Sequence, residues 1–203
     1  MKRIGLLLIY GFFLFSCKSA TKSATVDVVE KNTKSFPEMY IVPLGKVDKQ
    51  AIAIVAKGIE KFYGINPVIE KPIPLTKDLL AKSGTRYEAN KILTKFRSNR
   101  NQLFITEKDI AIKYPVRHSD EWGIMGLSYC PGRTSVVSTY RIKRTSSLFG
   151  ARLQKVCNHE LGHSLGLPHC KASSTCLMND AHGTMKQIDK EEMKFCVDCK
   201  KKL

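Results

Sequence analysis

From Val156 to Met178 the chain reads VCNHELGHSLGLPHCKASSTCLM, a stretch that holds three of its five histidines and three of its seven cysteines. If the first part is helical, His159 and His163 stand one turn apart. Spacing of i and i+4 puts both imidazoles on one face, within reach of one metal ion, with Glu160 projecting beside them. Gly166 suits a left-handed helix end, and three residues later His169 can swing back toward the first two rings. Three neutral imidazoles leave one position of a tetrahedral zinc for water, whose pKa the metal lowers to about 7 while it polarises a nearby carbonyl. Glu160 could then take the proton and return it to a leaving amine, so the expected chemistry is hydrolysis of a peptide bond. A zinc-bound module that binds peptides with weak or no turnover is the alternative.

These side chains need a rigid frame. Residues 147–165, SLFGARLQKVCNHELGHSL, carry Leu153, Val156, Leu161 and Leu165 along a helix that Ser146 or Ser147 can cap. Upstream, EMYIVPLG at 38–45 reads as a first strand, and DKQAIAIVAKGIEKFY at 48–63 as a helix. That helix has Asp48 as cap, Ile52, Val55, Ile59 and Phe62 at helical spacing, and Gly64 as its stop. INPVIEKPIPL, broken by three prolines, fits an edge strand. A second helix is expected over 85–99, around Tyr87, Ile92, Leu93 and Phe96, followed by a strand in NQLFITEKDI. Alternating strands and helices predict an α/β fold with a mixed, mainly parallel twisted sheet built from right-handed crossovers. GRTSVVSTYRI at 132–142 is a further β-rich run. Its part TSVVSTYR reads equally as an interior strand or as an edge strand that pairs with substrate backbone.

The full HExxHxxGxxH pattern is that of the metzincins. Past it come Cys170, Cys176 and the pair CVDC at Cys196 and Cys199. Four thiolates in two pairs suit a closed zinc site, whereas disulfides suit an exported chain, and spacing alone leaves both open. HELGHSLGLPHC, CLM and CVDC together, with YIVPLG, YEANKIL and CPGRTSVVSTYR upstream, resemble the archaemetzincin family over residues 38–203. The resemblance implies a zincin-like domain with two zinc ions per chain. His159, His163 and His169 would bind the catalytic zinc with Glu160 as general base. Cys170, Cys176, Cys196 and Cys199 would bind a structural zinc in a small C-terminal subdomain from about residue 167. Met178 would be the methionine of the turn beneath the catalytic metal. Cys130 and Cys157 fall outside this signature, as a disulfide if they approach or as free thiols. His118 and His182 read as surface or structural.

Outside residues 37–203, which are expected to form the metallopeptidase-like domain, Lys2 and Arg3 precede an apolar run from Ile4 to Phe15. This reads as a signal peptide over 1–16. LFSC resembles a lipobox that would leave Cys17 lipidated, with residues 17–36 as a polar tether. A lipid-anchored protein of a bacterial cell envelope, facing the periplasm, is the expected address. The net charge is +16, but its lysines are scattered rather than interleaved with aromatics on one stretch. A nucleic-acid partner is therefore not expected, while an anionic lipid surface and a peptide or protein substrate are. A monomer is the simplest expected state.

Overall fold

The computed structural model describes residues 36–114, 119–142 and 145–203. All of these lie in one compact unit, Asn32–Leu203. The leader, Cys17 and His118 fall outside the described residues.

Strand β1 (Tyr40–Leu44) leads into helix α1 (Lys49–Tyr63), where the Asp48 carboxylate accepts from the Gln50 amide and Gly64 closes the helix at φ 69°. A β-carbon would strain that left-handed turn, so the residue type and the conformation agree. Next come β2 (Val68–Ile69), β3 (Tyr87–Glu88), α2 (Ala89–Lys95), β4 (Gln102–Thr106), β5 (Ile110–Tyr114), β6 (Ser119–Ile124), β7 (Gly126–Ser128) and β8 (Thr134–Ser138). The chain ends with α3 (Phe149–Ser164), α4 (Met185–Lys190) and α5 (Val197–Lys200). The main sheet has five strands in the order β2-β1-β4-β8-β7, parallel except for antiparallel β7. This is the mixed, mainly parallel sheet expected from the sequence, with β2 at one edge as its prolines required.

Alternation along the strands divides the core in two. Ile41, Leu103, Ile105 and Val137 pack with α1 and α3, whereas Val42, Leu44, Phe104 and Val136 pack with Ile92 and Leu93 of α2. Successive strand side chains point to opposite faces, and a sheet covered on both faces can bury nearly every residue. Helix α1 approaches α3 closely at Gly58, where an added β-carbon would stand 2.7 Å from Gln154 Cγ. Gln154 Nε2 donates to Ile54 O, and Tyr63 Oη donates to Asn158 O, so the two helices are also joined by hydrogen bonds.

Two expectations change and one open alternative is settled. The second helix spans seven residues rather than 85–99, because Tyr87 and Glu88 are extended and pair with β5. Helix α3 has Leu148 at its N-cap without a side-chain cap bond, while Ser146 Oγ accepts from the Leu148 amide one step earlier. Thr134–Ser138 is not a free edge. It is bonded to β4 on one side and β7 on the other, and all five residues are buried. The edge next to the histidine helix is β7. A separate three-stranded sheet, β3-β5-β6, adjoins the first. Asp109 ties it down by receiving Arg86 Nε at 2.8 Å and a two-pronged contact from Arg141 at 2.8 and 2.9 Å.

Candidate metal centre and catalytic cleft

Helix α3 carries Leu153, Val156 and Leu161 into the core, and this fixes its rotation. His159, Glu160 and His163 thereby come to line a cleft of about 320 Å³. Beyond the helix, Gly166 takes φ 100° and the Leu167 amide donates back to Gly162 O at 3.0 Å. That left-handed turn reverses the chain and brings His169 to the same cleft. The three imidazole centroids lie 4.7, 4.9 and 5.4 Å apart, and one ring nitrogen from each falls within 4.8 Å of the others.

The rings are held as metal ligands are held. His159 Nδ1 lies 2.7 Å from Leu177 O, and His163 Nδ1 lies 2.7 Å from Leu167 O. A carbonyl only accepts, so each Nδ1 carries the proton and each Nε2 keeps its lone pair. His169 Nδ1 is 3.5 Å from Asp180 Oδ2, a weaker support for the most exposed of the three. Burial, with His163 adding to it, pushes His159 down to about 3, and burial also lowers His163. Both stay neutral at physiological pH, which is the form that binds a cation. This donor set fits zinc.

Glu160 is buried, and desolvation pushes its carboxyl up to about 8, while the hydrogen bond from Ser128 Oγ at 2.8 Å pulls it the other way. A β-carbon on Gly126 would come within 2.5 Å of Glu160 Oε1, so glycine is needed where β7 passes the carboxylate. Met178 is fully buried and lies under Gly162, where a β-carbon would meet its sulfur at 2.4 Å. The sulfur thus packs against the helix turn between the first two histidines. The wall contributed by the small sheet includes Tyr114, Trp122 and Ile124.

The four cysteines form a second cluster. Cys170 Sγ is 3.6 Å from Cys196 Sγ, and Cys176 Sγ is 3.7 Å from Cys199 Sγ. A tetrahedral zinc with sulfur at about 2.3 Å has edges of about 3.8 Å, so these thiols stand at coordination spacing. All four are free, as are Cys130 and Cys157. The latter two do not pair, since Cys157 is buried in the main core while Cys130 Sγ donates to Leu167 O. Within the cluster, burial raises Cys176 and Cys199, whereas hydrogen bonding from the Cys199 amide and the other thiols holds Cys196 below its usual range against burial. One thiolate therefore opposes the next, and a divalent cation would relieve that opposition. The sites are linked through the backbone, because the Cys170 amide donates to Met178 O at 2.7 Å and Asn179 Nδ2 donates to Cys170 O at 3.1 Å.

Sequence reasoning missed Ser128, Gly126, Asp180 and Glu191, all of which line the cleft. Asp180 stands two residues past Met178, the one sequence clue to any of them. His182, expected at the surface, is exposed there with Nδ1 3.2 Å from Asp180, and it also borders the cleft.

Several archaeal proteins are similar to this chain. The archaemetzincin of Haloarcula marismortui is 29% identical over 174 residues, covering 79% of this chain and 96% of the relative. The crystal structure of archaemetzincin from Archaeoglobus fulgidus, complexed with malonate, superposes with a TM-score of 0.72 at 25% identity, over 82% of this chain and 99% of that one. The Methanopyrus kandleri archaemetzincin structure gives a TM-score of 0.65 at 22% identity, over 81% and 92% of the two chains, and speaks to the fold. The profile of Peptidase family M54 matches residues 73–203, the span that carries both the histidine triad and the four thiols, and the chain therefore belongs to this family of archaemetzincin metallopeptidases.

Proposed function

We propose that this chain hydrolyses peptide bonds at a zinc ion held by His159, His163 and His169, with Glu160 as general base and a second, structural zinc on Cys170, Cys176, Cys196 and Cys199. The supporting observation is the convergence of three imidazoles, two with Nδ1 committed to backbone carbonyls, around a cleft that also contains the Glu160 carboxylate. Zinc bound there supplies Lewis acidity and a water acidic enough to ionise near neutral pH.

The chain's own residues do the rest. Glu160 accepts the water's proton and later donates it to the departing amine, and Ser128 fixes the carboxylate by donating to Oε2. A cation on the triad favours the ionised form that a base must have, offsetting the upward pull of burial. Strand β7 is the sheet edge beside the cleft, so its backbone can align an extended peptide whatever its side chains. Leu177 and Leu167 carbonyls keep two rings aimed, and Met178 limits their drift from below. The proposal also includes the address, a signal peptide and a lipidated Cys17, which the leader sequence alone supports. Mass spectrometry of the mature chain should find residues 1–16 absent and Cys17 modified. An unmodified N-terminus removes that part.

The decisive assay is zinc counting with peptide-library cleavage by the full chain and by Glu160→Gln. About two zinc ions are expected in both proteins, with cleavage reduced by about 10²–10⁴-fold in the variant. Equal cleavage overturns the role of Glu160. Zinc retention without cleavage by the parent would leave peptide binding as the function.

A further inference from the structure

One carboxylate in the cleft has no task in the mechanism above. Glu191 follows α4, is only 5% exposed, and lines the same cleft as His159 and Glu160. Its Oε1 is buried without a hydrogen-bond partner among the described residues. Leaving such an oxygen unpaired is costly, and more so when it is charged, so native structures rarely retain one without a use.

The nearby cations make their hydrogen bonds to other atoms, although the Gln187 side chain and the Lys155 charge still favour the ionised carboxylate. Lys155 Nζ donates to Ile188 O at 2.8 Å and to Asp189 O at 3.4 Å, and Arg152 grips Asp189 at 2.6 and 2.7 Å. These bonds pin the end of α4 to α3, and the Glu191 amide is bound to Gln187 O at 3.1 Å. The carboxylate is therefore held on a rigid support. Val156, Met125 and Ile188 line the same cleft and belong to the apolar core. Glu160 and Asp180 also line the cleft, but Glu160 is held by Ser128 and Asp180 stands beside His169 and His182, so Glu191, next to this apolar wall, is the carboxylate left to meet a side chain made of an alkyl stem and a cationic head. Burial pushes the Glu191 carboxyl up to about 7, and an entering cation would reverse that. The chain's net charge of +16 does not forbid this, because charges beyond about 8 Å are largely screened at physiological salt while a contact inside the cleft is not.

We propose that Glu191 sets the substrate preference of the cleft by accepting the ammonium or guanidinium of a lysine or arginine side chain beside the scissile bond. This rests on the peptidase reading for the word scissile, but its test does not need turnover. Full zinc-loaded chain carrying Glu160→Gln is titrated with peptide pairs that differ only by lysine or norleucine, scanned through each central position. At one position lysine should bind about tenfold or more tightly than norleucine, and adding Glu191→Gln should bring that ratio to about one. Glu191→Met serves the same purpose if the glutamine variant does not keep its zinc. A lysine ratio unchanged by either substitution overturns the proposal. So does the absence of lysine preference at every position, or of binding by any peptide. Cleavage by the parent, measured separately, decides the peptidase reading on its own.

Discussion

The histidine and cysteine clusters touch at consecutive residues, His169 and Cys170, yet they are built differently. The three imidazoles border an open cleft and are steered by carbonyls and one carboxylate, so their free nitrogens face a place that small molecules can reach. The four thiols sit mostly buried in a separate apolar cluster with Leu167, Leu177, Met178 and Phe195. Three ligands with an open position suit chemistry, whereas four ligands in a closed shell suit cross-linking of a chain segment too short to build its own core. The backbone bonds between Cys170, Met178 and Asn179 join the two clusters, and we propose that through them a filled cysteine site would steady the histidine site.

That contrast can be broken most severely at His163. His163→Ala should abolish peptide cleavage and leave about one zinc per chain, with little change in unfolding temperature, because the ring is only partly buried and serves the cleft rather than the core. Loss of both zinc ions would show that the sites are not separable. Cys196→Ser should act in the reverse order. We expect an unfolding temperature lower by about 10 °C, corresponding to several kcal/mol for a domain of this size, and faster loss of triad zinc to a chelator. Unchanged retention at the triad would remove the coupling between the sites.

The smallest effect sharpens the account of the cleft itself. Glu191 has a folded-state pKa near 7, above the ordinary carboxylate value. Between the two values the unfolded chain binds fewer protons than the folded one, so this group costs stability as pH rises from about 4.5 to about 7. Glu191→Gln should lack that loss. Its stability relative to the parent should rise by about 2–3 kcal/mol between pH 5 and pH 8, read from denaturant melts at both pH values. A constant difference would show that the parent's carboxylate is paired.

Much of this was readable from local pattern. The ligand spacing of His159 and His163, the Gly166 turn, α1 with its Asp48 and Gly64 ends, and the parallel order of the main sheet follow from helix period, turn chemistry and strand alternation. The small sheet was not readable, since Tyr87–Glu88 is two residues long and Ser119–Ile124 has no alternation of burial. Its strands exist because of their neighbours. Ser128 reaches Glu160 across thirty-two residues, and no local signal marks it. Thr134–Ser138 was equally legible as edge or interior from propensity, and only the position of β7 decides it. Glu191 carried no signal at all, because an unpaired carboxylate becomes notable only once its burial is known.

An open metal position at the triad would be visible by anomalous diffraction at the zinc edge from crystals of the zinc-loaded chain. We expect two peaks per chain, one about 2.1 Å from a nitrogen of each of His159, His163 and His169 with solvent at its remaining position, the other about 2.3 Å from four sulfurs. A triad without a peak, or a triad zinc whose last position is filled by a protein side chain, would contradict the account.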